Sequence, residues 1–298
     1  MKFEHVKCNV CGSDNTKSLG KRRSPNGDSA LETNIVECIS CGLMYPNPMP
    51  NFQGQDIQDN YSKPEEYFSE DARKRLEPFK NTLDAIEKAK PEKGRLLDVG
   101  CGRGEFLYVA RDNGWEVVGT DISNVFVDYA KREFKINALA GDLQDLDLPA
   151  ESFDAVCMNS VIQCVQDPAK TLSKIYSLLK KEGVLYIETT NDDALVFQLG
   201  DFFKSMKEGR RITTHLSPLF PCYQLYGFNK KSLSAALKAA GFEVSYIKVG
   251  GKIGGGKVEG DNFANAILNL IRKITIYIGG LTGKGHLLFC VARKTGAK

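Results

Sequence analysis

Residues 96–107 read Leu-Leu-Asp-Val-Gly-Cys-Gly-Arg-Gly-Glu-Phe-Leu: an apolar run, three glycines at alternate positions, then the start of an amphipathic stretch. That order suits a buried strand, a tight turn and the amino end of a helix. Gly100, Gly102 and Gly104 lack the Cβ that disfavours positive φ and keeps a ligand off the backbone. A strand, glycine turn and helix at the carboxyl edge of a parallel sheet is where doubly wound folds hold adenosine-containing cofactors.

The rest of the chain agrees with such a sheet. Strand patterns fall near 95–99, 116–120, 136–140, 153–158, 183–189, 243–249 and 286–293, and helical patterns near 104–113, 123–134, 168–181 and 230–240. Alternation of this kind predicts an α/β fold with a mostly parallel sheet. Gly114 and Gly241 stand where helix ends favour a left-handed residue, and Asp167-Pro168 reads as a cap followed by proline at the first helical position. Residues 191–229 are too long for a simple connector and read as a substrate lid.

The bulk properties narrow the class. A chain of 298 residues, 42% hydrophobic and 26% charged, is ordinary for a globular protein of one or two domains. A net charge of +3 is too mild to argue for nucleic acid by itself. The start, Met1-Lys2-Phe3-Glu4-His5, has no apolar signal core, and no run of 18 apolar residues occurs, so a cytoplasmic protein is expected. The segment 262–280 is apolar with the basic pair Arg272-Lys273, which suits packing on the sheet, pairing in a homodimer or contact with a membrane surface.

Four of the nine cysteines form two copies of C-x-x-C-G, Cys8 with Cys11 and Cys38 with Cys41. Each spacing puts two sulfurs on one side of a turn, and two turns supply four thiolates in the tetrahedron that structural Zn²⁺ prefers. With four protein ligands such a metal holds structure and has no open position for catalysis. Pro46, Pro48 and Pro50 follow and force an extended exit. The expected organisation is a zinc ribbon over 1–55 and a second domain over 56–298.

The glycine turn separates two cofactor classes. Dinucleotide sites use G-x-G-x-x-G; here Asp98-x-Gly100-x-Gly102-x-Gly104 has one residue fewer between the last glycines and an acid ahead of the first. This closely resembles the first motif of class I S-adenosylmethionine-dependent methyltransferases. The C-x-x-C-G-x-x-Tyr-x-Asn-Pro-x-Pro segment resembles a group of these proteins with a fused zinc ribbon, some members of which methylate sugars or other small metabolites. The resemblance implies a Rossmann-like, seven-stranded sheet whose last strand is antiparallel, with S-adenosylmethionine and Zn²⁺ as cofactors. Asp121, 17 residues after Gly104, is placed to accept both ribose hydroxyls, with Ile122 beside it. Asp142 and the backbone of Leu143 fall where the family holds adenine, and Asn159 with Ser160 faces the sulfonium.

The acceptor side is less regular. Gln163-Cys164 stands where many relatives have Glu-His, and Glu188-Thr189-Thr190-Asn191 where Thr-Pro-Asn is common. His215 resembles a lid histidine of the family and, with Tyr223 and Tyr226, is a candidate base or substrate ligand. Tyr61 and Tyr67 are candidates to cover the cofactor. Thr213 and Thr214 replace the Tyr and Glu that zinc-ribbon sugar C-methyltransferases tend to carry, and the large further domain of those enzymes is not seen. The resemblance therefore places O- or N-methylation of a small molecule, such as a sugar or polysaccharide precursor, above C-methylation. An RNA base methyltransferase and a non-catalytic cofactor-binding scaffold remain as alternatives.

Overall fold

The computed structural model describes residues 2–22, 33–51, 76–209, 212–213, 224–251 and 263–296. The amino-terminal module contains β1 (Lys2–Glu4), β2 (Thr16–Arg22), β3 (Asn34–Cys38), β4 (Met44–Pro46) and β5 (Met49–Asn51). Its two cysteine turns close alike: Gly12 N–H donates to the Cys8 carbonyl at 2.8 Å, and Gly42 N–H to the Cys38 carbonyl at 2.7 Å. Both glycines have positive φ, 70° and 81°. The proline segment is extended as expected, but it does not leave the module: β5 turns back and pairs antiparallel with β1.

The larger part carries α1 (Glu77–Ala89), β6 (Arg95–Val99), α2 (Glu105–Asp112), β7 (Glu116–Asp121), α3 (Asn124–Phe134), β8 (Ala138–Ala140) and β9 (Phe153–Asn159). It continues with α4 (Pro168–Leu178), β10 (Leu179–Thr190), α5 (Leu195–Glu208), β11 (Ile212–Thr213), α6 (Lys230–Ala239), β12 (Phe242–Gly250), α7 (Phe263–Leu281) and β13 (Leu287–Lys294). Seven strands form one sheet in the order β12-β13-β10-β9-β6-β7-β8. β13 runs antiparallel to both neighbours, and the other pairs are parallel.

Successive side chains of the central strands feed opposite faces, as the pleat requires. Leu97, Val156 and Met158 pack on one side with Leu172, Ile175 and Phe228. Leu96, Ala155 and Cys157 pack on the other with Ile86, Phe106, Leu107 and Trp115. Helix starts follow their caps: Ser123 Oγ accepts from Phe126 N–H, Asp167 Oδ1 from Lys170 N–H, and Asn229 forms a reciprocal capping box with Ser232.

Several elements differ from the sequence expectation. The helix expected over 168–181 stops at Leu178, because Leu179 is fully buried and pairs with Phe153 at the start of a longer β10. α1 was not anticipated, although Pro78 near its start and the i, i+3, i+4, i+7 set Phe79, Thr82, Leu83 and Ile86 are helix signals. Within 191–229 lie a regular helix, α5, and the short β11, which pairs parallel with β2. The 191–229 segment thus reaches the amino-terminal sheet.

The cysteine module docks through the caps of two helices of the larger part. Asn9, inside the first knuckle, donates to Asp167 Oδ1 at 2.9 Å and accepts from Ala169 N–H at 2.9 Å. Gly42, closing the second knuckle, offers its carbonyl to Asn229 Nδ2 at 3.2 Å. Leu43 and Tyr45 share a buried cluster with Leu225, Tyr226 and Phe228, and Met44 and Gly227 exchange backbone hydrogen bonds. The α4 and α6 termini are therefore held by the knuckles.

Candidate active site

The carboxyl ends of β6 to β10 converge on a cavity of about 510 Å³. Its floor is Asp98, Gly100 and Gly102; one wall is Asp121, Ile122, Asp142 and Leu143; another is Asn159, Ser160 and Glu188. Pro78, Phe79 and Thr82 of α1 roof it, and Val161, Cys164 and Gln166 close the remaining side.

The glycines of the turn have different jobs. At Gly100 a Cβ would lie 2.3 Å from Val161 Cγ2, and at Gly104 3.0 Å from the Ala130 Cβ, so both glycines permit close protein packing. At Gly102 (φ +52°) a Cβ would meet nothing within 4 Å, and this is the glycine that keeps the cavity floor bare. Asp121 anchors the turn: Oδ2 accepts from Gly102 N–H and Oδ1 from Ser123 N–H, each at 2.9 Å. A carboxylate has about four acceptor positions, so two remain for a ligand. Burial raises the Asp121 carboxyl, while the Ser123 and Gly102 amides hold it down.

Asp98 sits deeper. Burial, with the neighbouring Asp121 charge, pushes its carboxyl well above the usual range. Its Oδ1 and the Oδ1 of Asn159 are buried without a hydrogen-bond partner among the described residues. Two orphaned acceptors beside a bare backbone in an acidic pocket fit a ligand that brings N–H donors or positive charge. Asp98 has a pH signature. Because its folded-state pKa lies above the unfolded one, its contribution to stability is complete below the ordinary carboxylate range and is lost as pH rises. Asp98→Asn should therefore stabilise the ligand-free protein at neutral pH, with the gain vanishing below about pH 4. Urea unfolding across pH checks this.

Behind the turn, Arg103 is almost fully buried and pairs with Glu105 at 2.6 Å and 2.9 Å, its guanidinium 5.5 Å from the Tyr129 ring centroid. The pair fixes the start of α2 under the cavity. Arg103→Lys keeps the charge but loses the fork and the stack, and is expected to cost about 1.5 kcal/mol in chemical denaturation.

The structure brings together Asp98, Gly100, Gly102, Asp121, Ile122, Asp142, Leu143 and Asn159 at one cavity, with Gly104 supporting it from behind. Asp142 Oδ1 also accepts from Gln144 N–H at 2.9 Å, which shapes its turn. Tyr226 lies elsewhere: it is buried against Phe228, and its hydroxyl donates to the Gln166 carbonyl at 3.0 Å. A phenol committed to a backbone carbonyl, with burial raising its pKa further, is a packing residue here and not a base. His215, Tyr223, Tyr61 and Tyr67 lie outside the described residues. Gln163 accepts from Thr189 Oγ1 at 2.8 Å and is buried. Sequence reasoning missed Glu105, Glu188 and the α1 roof; an acid at a strand's carboxyl end was the available signal for Glu188.

At the other end of the chain, the Sγ atoms of Cys8, Cys11, Cys38 and Cys41 lie within 4.8 Å of one another. Cys8 to Cys41 is 3.4 Å and Cys11 to Cys38 is 3.5 Å. A tetrahedral metal with sulfur ligands at ~2.3 Å needs edges of roughly 3.8 Å, so the four sulfurs fit one ion.

A methyltransferase domain family matches residues 68–247, which contain the whole cavity except its support from the amino-terminal module. The chain belongs to this methyltransferase family. Its domain is similar in sequence to malonyl-[acyl-carrier protein] O-methyltransferase of Serratia marcescens, 29% identical over 44% of this chain and 50% of that one. Ubiquinone biosynthesis O-methyltransferase of Coxiella burnetii is 31% identical over 37% of this chain and 49% of its own. The chain thus spans about half the length of these relatives. Among solved structures, an S-adenosylmethionine-dependent methyltransferase of Archaeoglobus fulgidus superposes with a TM-score of 0.52 at 20% identity, covering 77% of this chain and 97% of that one. A Haemonchus contortus phosphoethanolamine N-methyltransferase 2, bound to phosphomonomethylethanolamine and S-adenosylhomocysteine, gives 0.53 at 18% identity over 94% of this chain and 68% of its own. These structures establish the class I methyltransferase fold. The orphaned acceptors, the bare Gly102 floor and the two free positions on Asp121 fit S-adenosylmethionine.

Proposed function

We propose that this methyltransferase domain transfers a methyl group from S-adenosylmethionine to an oxygen or nitrogen of a small-molecule acceptor. The observation that carries the reading is the pair formed by Gly102 and Asp121: a backbone left bare toward the cavity and a carboxylate with acceptor capacity to spare. When bound, the cofactor supplies a sulfonium methyl open to displacement. The chain's residues then bind and align. Asp121 accepts the ribose hydroxyls, Asp142 and Leu143 border the adenine, the Oδ1 atoms of Asp98 and Asn159 suit N–H donors, and Glu188 makes the pocket favourable to positive charge. Phe79 and Phe106, with ring centroids 6.2 Å apart, exclude water on the α1 side. Alignment of the nucleophile supplies much of the rate in such a reaction.

His215 is the candidate base and Tyr223 a candidate substrate ligand, both in the 191–229 substrate lid. The named activities of the Serratia and Coxiella relatives support an oxygen acceptor. Residues 1–55 act as a zinc ribbon and 56–298 as the catalytic domain, with Cys8, Cys11, Cys38 and Cys41 holding a structural Zn²⁺. The test is labelled methyl transfer from S-adenosylmethionine into cell extract, with and without ribonuclease. Label in ribonuclease-resistant small molecules is the expected outcome. Label only in RNA would overturn the substrate class, and no transfer into any fraction would favour a scaffold.

A further inference from the structure

Among the described residues, α7 is turned inside out. Its small residues Thr275 and Gly279 are buried, whereas Leu270, Ile274, Tyr277, Ile278 and Leu281 are between 43% and 72% exposed. These positions recur at helical spacing, so they form one apolar stripe facing solvent. The neighbouring α5 does the same with Phe202, Phe203 and Met206, exposed by 56% to 67%. Contiguous exposed apolar side chains on a folded chain mark a contact surface. Both helices leave the sheet at its carboxyl edge: Leu195 N–H at the start of α5 bonds the Lys284 carbonyl just after α7, and Asn191 N–H the His286 carbonyl. The start of α5 and the end of α7 therefore lie at the edge of the sheet that holds the cavity.

We propose that this two-helix face binds an anionic lipid bilayer. Charge decides between that and a second copy of the chain. Lys204, Lys207, Lys273 and Lys284 are exposed on and beside the two helices; α7 contains no acidic residue, and α5 contains Asp201, which is half-buried, and ends at Glu208. A symmetric dimer through this face would set lysines against lysines, whereas anionic headgroups neutralise them while the apolar side chains enter the interface. The helix lies in the interface and does not cross it, since no described helix is long and apolar enough to span a membrane. The inference is independent of the methyl-transfer reading.

Sedimentation with vesicles tests it, using phosphatidylcholine alone and phosphatidylcholine mixed with phosphatidylglycerol. The chain is expected to partition onto the mixed vesicles and to be released by high salt. The double variant Phe203→Glu, Ile274→Glu should partition about tenfold less, with an unchanged thermal midpoint because both positions are exposed. No partition, equal partition onto both vesicle types, or a dimer by light scattering that the double variant dissociates would overturn the proposal.

Discussion

Asp121→Ala is expected to weaken binding of S-adenosylhomocysteine by about a hundredfold. Each hydrogen bond from a ribose hydroxyl to a carboxylate contributes ~1.5–3 kcal/mol, and 1.4 kcal/mol is tenfold in affinity. Losing both gives about 3 kcal/mol at the low end. The substitution also frees Gly102 N–H and Ser123 N–H, which Asp121 now holds at 2.9 Å. Gly102 borders the cavity and its amide can take water, whereas the buried Ser123 amide is left unpaired, so the variant should lose some stability but keep a circular dichroism spectrum near that of the native chain. Asp121→Asn keeps one acceptor oxygen and should fall between the two. Isothermal titration of the three proteins reads the series; an alanine variant that binds as tightly as the native chain would remove Asp121 from the site.

Stripping the proposed zinc ion from the cysteine module should have the largest effect on stability. Structural zinc supplies ~10–16 kcal/mol to isolated finger peptides, and here the knuckles also hold the termini of two catalytic-side helices. Without the ion, burial raises the Cys8 thiol and takes Cys41 to about 11, while, against burial, the Cys41 amide and neighbouring thiols lower Cys38 to about 7, so only hydrogen bonds among unlike thiols join the four. Asn9 then loses its fixed geometry at Asp167, and Gly42 at Asn229. A strong chelator, or Cys38→Ser, is expected to lower the thermal midpoint by more than ~10 °C, a loss of a few kcal/mol in a domain of this size. Cofactor affinity should fall with it, because the segment between β9 and α4 lines the cavity with Val161, Cys164 and Gln166 and is braced by Pro50 through Gln166 Nε2. Elemental analysis should find one zinc per chain before treatment. Unchanged melting in chelator would contradict a structural ion.

Much of this was legible because local chemistry and tertiary outcome coincide. The Asp98-to-Gly104 turn, the Asp167 cap and the C-x-x-C-G knuckles specify their geometry within a few residues, and the structure keeps it. What escaped depends on distant partners. Leu179 looks helical until Phe153 offers it a strand register. Tyr226 is a lid tyrosine in the sequence; only the fold carries its hydroxyl to the Gln166 carbonyl. The docking of both knuckles onto helix caps joins residues 158 and 187 positions apart, which no local pattern encodes. The apolar stripe of α7 was visible as composition, but its outward direction is a tertiary fact.

The most direct test of the central claim is calorimetric titration of S-adenosylhomocysteine into the native chain and into Gly102→Leu. The native chain should bind one equivalent, and the variant, whose side chain would project from the bare floor of the cavity, should release no heat. Absence of binding by the native chain, or equal binding by both, would contradict a cofactor site at this turn.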